Sequence, residues 1–158
     1  MRAQFAIRKD RRTRLFFGRT VAYASTAMFT RGPSYALTMV TDFLETIGGQ
    51  ALEAGFMLDF DTRVALIYDT GICWDPEEAA LYGWVVGPRS RAMGFAQLDL
   101  WENEEPLIEA AQAAETVEAY FEALRTLSQE SDSWQGWTLR WGTGKDYTAA
   151  VAGGALEA

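Results

Sequence analysis

The chain contains no histidine and one cysteine, and only six of its fourteen Lys and Arg residues lie beyond position 31. Each shortage excludes a class of chemistry. Without imidazole there is no ordinary general base near neutral pH, and neither a Ser-His-Asp nor a Cys-His nucleophile pair can form. The commonest metal ligand is missing for the same reason. The single thiol, Cys73, rules out an internal disulfide and any multi-thiolate metal site, so nothing calls for an oxidising compartment. No uncharged apolar run approaches the roughly twenty residues that a membrane-spanning helix needs. Arg11 and Arg12 ahead of Leu15, Phe16 and Phe17 have the outline of an export signal, but Asp10 and Arg19 interrupt it. The expectation is a cytoplasmic protein with no membrane segment.

The composition supports folding. Hydrophobic residues make up 49% of the 158 positions and aromatics 13%, enough to offset the ordering entropy of one core and too little chain for two. We expect one domain over residues 1–151 and a frayed tail over 152–158. Charge is divided unevenly. Residues 1–31 hold eight basic side chains and one acid, a net charge of +7, which leaves −15 on residues 32–158 against −8 for the whole chain. The acidic bulk should repel nucleic acid and anionic lipid, so direct nucleic-acid binding is expected only through residues 1–31.

Periodicity predicts the elements. Phe5 and Ile7, then Phe17, Val21 and Tyr23, alternate with polar or small residues around Lys9 to Thr13, as in a basic-tipped hairpin. Residues 34–47 follow Gly32-Pro33 and precede Gly48-Gly49, which predicts a helix. From Phe56 the period becomes two. Phe56, Leu58, Phe60, Val64, Leu66 and Tyr68 fall on one parity and Asp59, Asp61, Arg63 and Asp69 on the other, as in a half-buried strand or a hairpin bent at 61–63. Residues 81–86 and 93–101 read as two strands joined by a Gly-Pro turn that carries Arg89 and Arg91, a secondary basic loop. Apolar residues at helical spacing from Leu107 to Leu127 predict an amphipathic helix, or two short ones meeting near Glu115 and Thr116, opened by Glu104, Glu105 and Pro106. Trp137, Leu139 and Trp141 alternate, and Gly142-Thr143-Gly144 suggests a turn into a last strand over 147–151. The fold class expected is α+β: an antiparallel sheet of hairpins with two or three helices packed on one face.

Two motifs touch on chemistry. Leu58-Asp59-Phe60-Asp61-Thr62 resembles the Asp-x-Asp nucleophile strand of haloacid-dehalogenase-like phosphatases, with the threonine one place early. The resemblance implies magnesium-assisted phosphoryl chemistry on a parallel α/β scaffold, with Lys145 as the only lysine downstream. The alternative is that two carboxylates two residues apart simply mark the polar face of a strand. Gly142-Thr143-Gly144-Lys145-Asp146 has the outline of a phosphate loop, but Asp146 stands where a metal-binding hydroxyl should be, and its charge would repel phosphate.

The reading that follows is a small acidic binding protein that inhibits a basic protein partner, with no catalytic residue, metal or cofactor. Phage anti-defence proteins, anti-CRISPR proteins among them, and toxin-immunity proteins share its size and charge. The partner-binding candidates are Glu104, Glu105, Glu115, Glu118 and Glu122, with Trp134 as an exposed aromatic anchor. Two alternatives remain: a histidine-free enzyme working through Asp59 and Asp61 with a metal, and a structural subunit. A carboxylate-lined cleft at Asp59 and Asp61 would favour the enzyme, and an open acidic face the binder.

Overall fold

A computed structural model describes residues 2–19, 25–89, 106–126 and 132–157. Its centre is a six-stranded sheet built from β1 (Arg2–Lys9), β2 (Arg12–Arg19), β3 (Leu44–Thr46), β4 (Ala54–Asp59), β5 (Val64–Asp69) and β6 (Thr138–Trp141), in the order β3-β2-β1-β4-β5-β6. The described helices are α1 (Ser25–Thr30), α2 (Pro33–Val40), α3 (Pro76–Tyr82), α4 (Pro106–Gln112), α5 (Val117–Thr126) and α6 (Gly144–Gly153).

The mixed α and β content matches expectation, but the sheet is not purely antiparallel. Two antiparallel hairpins, β1–β2 and β4–β5, lie side by side through a parallel β1–β4 pairing, and β6 joins β5 in parallel. The helices also cover both faces. On one face Phe5, Phe56 and Ile67 meet Met28 and Phe29 of α1, Ala36 and Val40 of α2, and Tyr120, Phe121 and Leu124 of α5. On the other, Met57, Leu66 and Tyr68 meet Tyr147 of α6 and Leu156. Every residue of β4 and β5 is buried, so these are not half-exposed strands. Their near-continuous apolar runs are what a sheet covered on both sides requires. The turn between them also switches parity. Phe56 pairs with Ile67 and Leu58 with Ala65, so Val64, Leu66 and Tyr68 face away from Phe56 and Leu58.

Several local expectations change. The helix over 34–47 stops at Val40, where the Thr41 hydroxyl turns back to the Leu37 and Thr38 carbonyls. Phe43 then stacks on Phe5 at 5.7 Å, and Leu44–Thr46 becomes an edge strand on β2. Leu81 and Tyr82 end α3 rather than start a strand, because Asp75 caps that helix and Pro76 opens it. The last strand is instead α6. Thr143 accepts from the Asp146 N–H while the Asp146 carboxylate accepts from the Thr143 N–H, a reciprocal capping box that fixes a helix start. Residues 152–157, expected to fray, are held: Arg8 donates to the Gly154 carbonyl at 2.7 Å, Arg140 donates to the Glu157 carbonyl, and Leu156 is buried. The expected strand over 93–101, with Arg91, Glu104 and Glu105, lies outside the described residues.

Candidate functional site

Asp59 closes β4, and it faces inward with no exposed surface, contrary to its place on the polar parity. One carboxylate oxygen accepts from the backbone N–H groups of Asp61 and Thr62 at 3.0 and 3.1 Å; the other accepts from Leu156 at 3.0 Å and lies 3.6 Å from Arg8 Nε. Arg8 is its partner across the parallel β1–β4 ladder. Asp61 sits in the following turn and reaches the β1–β2 hairpin, where its two oxygens accept from the Asp10 and Arg11 N–H groups at 2.9 and 2.7 Å. Asp10 and Arg11 hold left-handed backbone, with φ of 54° and 64°. That conformation turns successive N–H groups into an anion-binding nest, and Asp61 fills it.

The two acids therefore join three pieces of chain: both hairpin turns and the tail. Each oxygen already holds an N–H donor. A metal ion or a reacting phosphate would have to displace those bonds, and loss of the buried one would leave the Leu156 N–H unpaired at about 1–3 kcal/mol. Beside Asp61 lies a cavity of about 390 Å³ lined also by Lys9, Arg63 and Asp132. Asp132 is engaged as well, since its oxygens accept from the Ser34 and Tyr35 N–H groups at 2.7 Å and so cap α2. Among the described residues, no group of three or more Asp, Glu, Cys or His side chains is arranged to hold a metal ion. Asp146 is spent on the α6 cap, and the hydrogen bonds from Thr143 hold its carboxyl below the usual carboxylate range.

Trp134 is fully buried, which corrects its expected place at the surface. Its ring stacks on Phe29 at 4.4 Å and meets Trp137 edge-on at 5.3 Å, while its indole N–H donates to the Phe29 carbonyl at 2.9 Å. A tryptophan suits this position because it fills volume and also satisfies a carbonyl in the last turn of α1.

The acidic helix region behaves differently. It consists of two short helices, α4 and α5, and Thr116 starts the second by accepting from the Ala119 N–H. Tyr120, Phe121 and Leu124 turn inward, while Glu115, Glu118 and Glu122 are exposed. Glu115 precedes α5, so only Glu118 and Glu122 are helical neighbours, four residues apart. Ion pairs within 4 Å among the described residues join Arg8 to Asp59 and Asp61, and Arg14 to Glu45. Glu115, Glu118 and Glu122 take part in none of them. Arg89, the described member of the expected basic loop, is exposed.

A second exposed feature went unread in the sequence. After α3, Gly83 takes a left-handed cap conformation and the Trp84 N–H donates to the Ala79 carbonyl, which holds the Trp84 ring stacked on Tyr82 at 4.7 Å. Leu81, Tyr82, Trp84 and Val85 are 76%, 59%, 52% and 41% exposed. Trp84 and Val85 edge a cavity of about 700 Å³ that also contains Cys73, Trp74, Asp75 and Glu78. Gly87 ties this segment to the acidic region, since a Cβ there would stand 2.1 Å from the Ala114 carbonyl. Only glycine permits that approach, which sets residues 84–87 beside the chain entering Glu115. The signal was available in Asp75-Pro76-Glu77-Glu78: a helix beginning there places Leu81 and Tyr82 in its last turn instead of in a strand. Compared with known proteins, the chain matches no family model, no curated protein and no solved structure.

Proposed function

We propose that this chain is a small acidic binding protein that captures and inhibits a basic protein partner, presenting the carboxylates of Glu115, Glu118 and Glu122 where that partner expects phosphates. The observation that carries the reading is the contrast in how acids are used. Asp59, Asp61, Asp132 and Asp146 have oxygens committed to backbone N–H groups, whereas the three glutamates stand in solvent outside every described ion pair. Like charges held together outside any described ion pair, with Arg125 in the last turn of α5 as the basic residue of that helix, cost a few tenths of a kcal/mol for each helical pair, and a basic surface would relieve that repulsion. The anti-defence or toxin-immunity type of inhibitor belongs to this reading. A phosphatase-like reading draws less support, because its two aspartates are already occupied.

The test is a paired capture from the native host using the wild-type chain and the Glu115→Lys, Glu118→Lys, Glu122→Lys triple variant as baits. The reading expects a basic protein held by the first, lost from the second and eluted by salt. Equal retention by both baits would overturn it.

A further inference from the structure

We propose that the cavity beside Trp84 receives an arginine-bearing segment of the basic partner, so that the partner is steered by the glutamates around α5 and then held at α3; this rests on the binding function proposed above. The cavity holds about 700 Å³, within the range of sites that enclose a ligand group. Its described charged lining consists of Asp75 and Glu78, with no lysine or arginine. Asp75 uses one oxygen to accept from the Glu77 N–H at 3.0 Å, and the cap of α3 leaves its second oxygen outside that bond.

The aromatic wall supplies the other half of an arginine site. Trp84 lines the cavity and its ring, half in solvent, stacks on Tyr82 outside that lining, while the α3 cap and the Ala79 carbonyl fix the backbone that carries the pair and so lower the ordering cost of binding. A guanidinium group stacks on such a ring and presents a planar fork of donors to carboxylates, which the compact ammonium of lysine does not. Leu81 and Val85 extend the patch and suit the aliphatic stem and neighbouring residues of a peptide. Exposed apolar side chains grouped in this way mark an interaction surface, and the acids around them select a cationic occupant.

Cys73, the only cysteine, lies in the wall of the cavity and reports on its occupancy. The experiment uses the full chain and an N-acetylated hexa-arginine amide, and follows iodoacetamide alkylation of Cys73 by mass. The peptide should slow alkylation, and the half-protecting concentration should rise about tenfold in Trp84→Ala. Glu78→Gln should shift it in the same direction, while the unliganded melting temperature of both variants stays at the wild-type value. The lysine triple variant around α5 should still reach protection, only more slowly. Peptide binding that leaves Cys73 reactive and is lost only in the α5 variant would overturn the cavity assignment and keep the binding function. Binding unaffected by the α5 variant but lost in Trp84→Ala would keep the cavity and overturn the role of α5. Equal protection by a single N-acetylated arginine amide would overturn a peptide segment in favour of a small cation. Concentration-dependent protection without peptide, with matching dimerisation in sedimentation, would overturn it in favour of a second copy of this chain.

Discussion

Around the β4–β5 turn, Asp59 and Asp61 hold five backbone N–H groups between them, and Arg8 lies within 4 Å of both carboxylates. Along α5, Glu118 and Glu122 hold solvent, with Glu115 exposed just ahead of them. The acids that most resembled a catalytic motif are joints in the fold, whereas the glutamates singled out as partner-binding candidates are exposed and outside every described ion pair. A carboxylate is available for chemistry or binding according to what its oxygens already accept, and sequence spacing does not report that.

The sharpest way to break this contrast is to remove the inward member. Asp59→Ala should strip the Leu156, Asp61 and Thr62 N–H groups of their acceptor while Arg8 keeps Asp61 as its countercharge, costing about 2–4 kcal/mol in urea unfolding, chiefly from N–H groups left unpaired. A loss below 1 kcal/mol would mean that Asp59 is not a joint and would return it to the list of candidates for chemistry.

Enclosed hydroxyls extend the comparison to pH. Burial pushes Tyr68 from 10.0 up to about 12 and raises Tyr120 and Tyr147 further, with the Tyr147 hydroxyl donating to Gln4 at 2.9 Å. The folded chain thus favours the neutral form. Their stabilisation is complete below about pH 10, where the unfolded tyrosines begin to ionise, and is lost as pH rises through the folded values, at up to about 1.4 kcal/mol per pH unit for each. Alkaline unfolding monitored by circular dichroism, with ultraviolet absorbance following phenolate formation, should show cooperative loss of structure beginning above that pH. Tyrosines that ionise without loss of structure would show the two faces of the sheet to be less closed than described.

Trp134→Phe should cost about 1–3 kcal/mol, because it keeps a ring against Phe29 but removes one of that carbonyl's two donors, leaving the Gly32 N–H, and opens a void where the larger indole stood. Trp84→Phe should leave the melting temperature near the wild-type value, since its ring is half in solvent. Equal effects at the two tryptophans would erase the distinction between core and surface aromatics. The smallest change expected is at Glu118→Gln, which removes one helical like-charge pair and should stabilise the fold by a few tenths of a kcal/mol.

What was legible in the sequence was local pattern. The hairpin turned within Lys9 to Thr13, the strand carrying Leu139 and Trp141 and the amphipathic stripe through Tyr120 and Leu124 all follow from spacing alone. Pairing between distant strands does not. Nothing local says that β1 lies parallel to β4, and it is that pairing which sets Arg8 against Asp59 and turns the apparent polar face inward. Two misses had signals. Apolar residues on both parities of β4 and β5 already implied cover on both faces, and Thr143-x-x-Asp146 already implied a helix start. Trp134 had none, because a polar loop before it says nothing about the α1 carbonyl that it reaches.

On the proposed function, the glutamates around α5 steer a basic partner. That steering is tested most directly by the association rate of the basic protein recovered in the paired capture, measured by stopped flow at about 10 mM and about 150 mM salt, across which the screening length shortens severalfold. The account predicts a fast rate for the wild-type chain that falls steeply with salt, a slower and less salt-dependent rate for Glu118→Gln, and no salt-dependent acceleration for the lysine triple variant. An association rate unchanged across the three chains at both salt concentrations would contradict it.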